Sequence, residues 1–108
     1  MARPSQVQDS DLRRLIEEAR TAYLADDNRG SIEKSTAAFL ELLRRQPDFL
    51  SAGPFARNNR RVWPQLGVTL KTGDDAPPEV TFERERFTNP EAITYYEYVS
   101  DCLVAARL

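Results

Sequence analysis

The sequence predicts an α+β fold: an N-terminal antiparallel helical hairpin, an irregular connector, a β-hairpin and a C-terminal helix, packed around one core. Three observations carry this. Apolar residues recur at helical spacing in three stretches, 12–23, 32–43 and 92–106. Between the second and third, the runs "QLGVTLKT" (65–72) and "EVTFERERF" (79–87) alternate apolar and polar residues around the turn-rich "GDDAPP" (73–78). Helices and strands are thus segregated along the chain, which separates α+β architecture from alternating α/β.

In chain order, residues 1–9 read as a polar tail and residues 10–108 as one domain. Ser10 is the expected cap of the first helix, and Asp11 suits the positive end of its dipole. Leu12, Leu15, Ile16, Ala19, Ala22 and Tyr23 form its apolar stripe, with Arg13, Arg14, Glu17, Glu18 and Arg20 on the wet side. "DDNRG" (26–30) ends the helix, with Gly30 supplying left-handed geometry. Ser31 is then the expected cap of a second helix reaching about Gln46, where Pro47 stops it. Ile32, Thr36, Phe39, Leu40 and Leu43 make its stripe and Leu42 widens it. So short a connection between amphipathic helices predicts an antiparallel pair.

Residues 48–64 have no clean period and are punctuated by Gly53, Pro54 and Pro64. This is the irregular connector, in which Pro54 suits the start of one helical turn. In the hairpin, Leu66, Val68 and Leu70 share one face, and Val80 and Phe82 point inward opposite Thr81, Glu83 and Glu85. Lys71 is expected across from Glu83. A two-stranded hairpin is marginal alone, so it must lie on a helix or pair with another sheet, a second copy's included. For the last helix, Asn89 is the expected cap, followed by Pro90 and Glu91. Ala92, Tyr95, Tyr96, Val99, Cys102, Leu103 and Ala106 form its core-facing stripe, while Tyr98 falls off that stripe and is expected to be partly exposed.

Composition narrows the function. With 41% hydrophobic and 30% charged residues, the chain reads as soluble and globular. A net charge of −2 supplies no global attraction for nucleic acid or anionic lipid. Residues 1–61 carry +2 and residues 62–108 carry −4, so a basic middle faces an acidic hairpin and tail. Thirteen of the 15 basic residues are arginine. A coding bias is one source of such arginine-rich composition, and the suitability of guanidinium for interfaces is the other. Cys102 is the single cysteine, which excludes an intrachain disulfide. The start "MARPSQVQDSD" lacks the apolar core of a signal peptide, and no run approaches the ~20 apolar residues of a membrane span, so no membrane and a cytoplasmic location are expected.

No histidine is present, which removes Ser–His and Cys–His nucleophile pairs and structural zinc sites. The four glycines are isolated, so no phosphate cradle exists. No cofactor, no metal and no catalytic residue are therefore expected. Glu83 and Glu85 are the nearest thing to a carboxylate pair, and outward acids on a hairpin serve solubility. Cys102, on the apolar stripe, reads as a small buried hydrophobe.

The stretch "ARNNRRVWPQLGV" (56–68) stands apart, with three arginines, two asparagines and the only tryptophan. Arg57, Arg60, Arg61 and Trp63, joined by Tyr98, form the expected partner-binding surface, because these residue types supply interface anchors and charge complementarity. The chain is accordingly expected to be a small non-catalytic accessory or interaction module, a homodimer or a subunit of a larger assembly. The first alternative is nucleic-acid binding, with the same arginines on phosphates and Trp63 stacked on a base. The second is a small enzyme or enzyme subunit with carboxylate-based chemistry.

Overall fold

The computed structural model describes residues 4–49, 67–71 and 79–108, and through them the chain runs helix, helix, strand, strand, helix. This is the α+β order read from the sequence. The short helical turn at Pro54, Leu66 and the loop 73–78 lie outside the described residues.

Helix α1 spans Pro4–Leu24. It starts at Pro4 rather than at the Ser10 cap, so most of the expected polar tail is helical backbone. Proline suits a helix start, where its missing N–H leaves nothing unpaired, and residues 5–9 contain no glycine or second proline to interrupt the helix. Leu12 and Ala19 are buried, while Leu15, Ile16 and Tyr23 pack half-buried against the core.

The turn after α1 corrects two assignments. Asp26, not Gly30, takes the left-handed conformation, with φ 61°. Asp27, not Ser31, caps helix α2 (Asn28–Arg45), its carboxylate accepting the Gly30 N–H at 3.1 Å. Aspartate tolerates left-handed geometry better than most side chains, and as a cap it adds a negative charge to the dipole. Gly30 therefore sits in the first turn of α2, where a Cβ would run into the Asp27 carboxylate. Gln46 ends α2 next to Pro47, as the sequence indicates.

Along α2 the buried residues are Ser31, Ile32, Ser35, Thr36, Ala38, Phe39, Leu42 and Leu43. The face is wider than the predicted stripe, and small residues fill its added width. The hydroxyls of Ser31 and Ser35 are buried with no hydrogen-bond partner among the described residues. A buried unpaired hydroxyl costs about 1–3 kcal/mol, and serine is also a weaker helix former than alanine. Ser35→Ala is therefore expected to stabilise the fold by about 1 kcal/mol, read as a higher denaturation midpoint in urea. A lower midpoint would mean that the hydroxyl is paired.

Helix α3 spans Asn89–Ala105. Its cap is Thr88 rather than Asn89: the Thr88 hydroxyl accepts the Glu91 N–H at 3.2 Å, and Glu91 accepts the Thr88 N–H at 2.8 Å. This reciprocal capping box satisfies two orphan donors at once, which a lone Asn89 cap cannot do. Ala92, Tyr95, Val99, Cys102, Leu103 and Ala106 are buried as predicted. Tyr96 is half-buried, its ring edge-on to Tyr23 with centroids 5.3 Å apart.

The three helices pack against one another. The start of α3 meets the end of α1 and the start of α2, because Asn89 reaches both Tyr23 and Asn28. At the far end Gln46 Nε2 donates to the Ala106 carbonyl at 3.0 Å. Helices α2 and α3 thus run parallel, and α1 runs antiparallel to both.

Strands β1 (Val68–Lys71) and β2 (Glu79–Phe82) pair antiparallel, with Val68 opposite Phe82 and Lys71 opposite Glu79. In the backbone register Glu79, not the expected Glu83, stands opposite Lys71, and Glu83 lies beside the start of β1, accepting from the Thr69 hydroxyl at 3.0 Å. Gly67, at φ 68°, lets the chain turn into β1 while its carbonyl takes the Glu83 N–H at 2.7 Å. Val68 and Phe87 belong to the core, and Val80 and Phe82 pack on it, so the hairpin rests on the helices.

Candidate functional site

Four of the five expected contact residues, Arg57, Arg60, Arg61 and Trp63, lie outside the described residues. The fifth, Tyr98, is not exposed. It is 9% accessible, with its ring edge-on to Phe39 at 6.2 Å, and it belongs to the core cluster. It lies off the narrow stripe, yet α3 meets both α1 and α2 and so buries a wider arc than one stripe. Tyr98 is thus a core residue in this chain.

The tyrosines of "YYEY" (95–98) do form a polar thread inside the helical layer. Tyr95 is fully buried, and its hydroxyl lies 2.9 Å from the Thr36 hydroxyl on α2. One turn beyond Tyr98, Cys102 is fully buried, its sulfur within hydrogen-bonding reach of the Tyr98 hydroxyl. Burial raises both phenols well above the ordinary tyrosine range, against the pull of Thr36 at Tyr95. Burial likewise pushes the Cys102 thiol up to about 12, with the Tyr98 hydroxyl opposing and Asp101 adding to the rise. A thiol that resists ionisation is a poor nucleophile. In the native protein Cys102 is therefore expected to react with a thiol reagent at pH 8 at least 100-fold more slowly than in denaturant. Comparable rates in the two states would place it at the surface.

The same three groups are expected to limit the stability of the fold at alkaline pH. Each is raised in the native state, so each contributes stability that is intact below its unfolded pKa and is lost as pH rises through the folded value. The unfolded chain begins to release these protons near pH 8.5 for cysteine and 10 for tyrosine. Stability is expected to hold up to about pH 8.5 and to fall steeply above it, with Tyr95→Phe flattening the decline. An unchanged alkaline slope in that variant would remove Tyr95 from this linkage.

At the opposite end of the core lies an asparagine junction, built from Asn89, whose type suits a helix cap, and Asn28, which falls in the turn-rich stretch 26–30. Asn89 Nδ2 donates to the Tyr23 carbonyl at 2.9 Å and to Asn28 Oδ1 at 3.0 Å, while Asn28 Nδ2 donates to the Phe87 carbonyl at 3.1 Å. Arg84 pairs with Glu91 at 2.8 Å and lies over the Phe87 ring at 5.1 Å. Glu91 is held below the usual carboxylate range, first by the Thr88 N–H and then by Arg84. Arg29 reaches the Glu85 carbonyl at 3.3 Å and covers the Phe82 ring at 5.8 Å. These contacts fasten the hairpin to the starts of α2 and α3. The signal was in the sequence as two asparagines, each beside a helix start, but nothing in their spacing tells that they meet.

Glu83 and Glu85 do not share a strand face, since β2 ends at Phe82, and both are exposed. A groove of about 420 Å³ along α1 is walled by Arg14, Glu17, Glu18, Thr21 and Asp27. Arg14 and Glu18 are paired locally: Arg14 with Asp11 and Glu18, and Glu18 also with Lys34, which crosses from α2 at 2.9 Å. Lys34 is the main reason the Glu18 carboxyl is lowered. Exposed pairs of this kind add little stability and mark a solvated face.

Among the described residues no three or more Cys, Asp or Glu side chains gather to hold a metal ion, and no helix is long and apolar enough to cross a membrane. Comparison with protein-family models, with curated proteins and with solved structures finds no match to this chain.

Proposed function

We propose that this chain is a small soluble non-catalytic interaction module of the cytoplasm, acting as a homodimer or as one subunit of a larger assembly. The observation that carries the reading is the segment 57–63, which sets Arg57, Arg60, Arg61 and the only tryptophan, Trp63, within seven positions of a chain whose net charge is −2. Arginine and tryptophan are the residue types that concentrate binding energy at interfaces. Guanidinium is weakly hydrated and planar, so it gives up water readily and pairs with carboxylates in two-pronged fashion. Such carboxylates are available on the chain itself: Glu79, Glu83 and Glu85 are all exposed. Two copies related by a two-fold axis would each offer arginines to the other's acids. Leu24 and Val104, exposed at 69% and 75%, add apolar surface that a partner could cover.

The test is the double variant Arg60→Ala with Trp63→Ala. Association should weaken by at least tenfold while the helical circular dichroism stays unchanged. If the native mass and every detectable association stay as in the wild type, the reading fails. Nucleic acid on the same arginines would show itself differently, through binding that declines with salt with a logarithmic slope of about −2 to −3 for three phosphate contacts.

A further inference from the structure

We draw no further inference here: the strongest candidate, the exposed apolar pair Val104 and Leu108 at the end of α3, is an unpartnered apolar patch, and nothing in the structure shows what covers it.

Discussion

Phe39→Ala is expected to lower the unfolding free energy by about 3–5 kcal/mol. The ring is fully buried on α2 and meets Tyr98 of α3 edge-on at 6.2 Å, so it joins the two parallel helices at the centre of the core. Truncation removes apolar burial and leaves a cavity, and both losses add. Against a total of about 5–15 kcal/mol for a domain of this size, the variant would lose about a fifth or more of its stability. Urea denaturation followed by circular dichroism measures it, with Phe39→Leu as the milder comparison at about 1–1.5 kcal/mol. A loss under 1 kcal/mol for the alanine variant would mean that the ring is not at the centre of the packing.

The second large effect is expected at Asn89, and its sign separates two accounts of the residue. As a first-turn helical position, Asn89→Asp should stabilise α3 by about 0.3–1 kcal/mol through the dipole. As the centre of the junction it should do the reverse. Both partners of Asn89 Nδ2 are oxygens, the Tyr23 carbonyl and Asn28 Oδ1, and Asn28 is kept in that orientation by its own bond to the Phe87 carbonyl. A carboxylate would set oxygen against oxygen in a half-buried site. The variant should lose about 2–3 kcal/mol net at pH 7, more than Asn89→Ala, because an unmet buried acceptor costs more than an absent side chain. Acid protonates the new carboxyl and restores a donor, so the deficit relative to wild type should shrink as pH falls towards 3. A stabilised variant at pH 7 would show that the helix dipole decides and that the junction carries no weight.

The parts of the fold that were legible in the sequence are those set by period. The stripe of α3 from Ala92 to Ala106 is buried at all but Tyr96, and Val68, Val80 and Phe82 turn towards the core. Ends were less legible, because several residues near each boundary can serve as caps. Ser10, Ser31 and Asn89 are all good caps by type, and the chain uses Asp27 and Thr88 at the last two starts and opens α1 at Pro4. Reciprocal bonding decides in favour of Thr88, since Glu91 lies three residues on, and that pairing could have been read from the sequence. Register was not legible: Lys71 and Glu83 are plausible partners by charge, but the ladder is fixed by Gly67 meeting Glu83. The burial of Tyr98 is not legible from a single stripe, which describes a helix with one neighbour, whereas α3 has two. The asparagine junction joins residues about 60 positions apart, which no local pattern encodes. Of the proposed site, the residue types in 57–63 are all that the sequence offers, and they name a class of contact rather than a partner.

The most direct test of that contact is the native mass of the protein recovered gently from its own lysate, with and without nuclease. The account predicts a discrete species heavier than 12.3 kDa, either a multiple of it or a complex with a second protein, that is unchanged by nuclease. A 12.3 kDa monomer in both samples, or a heavier species that collapses on nuclease treatment, would contradict it.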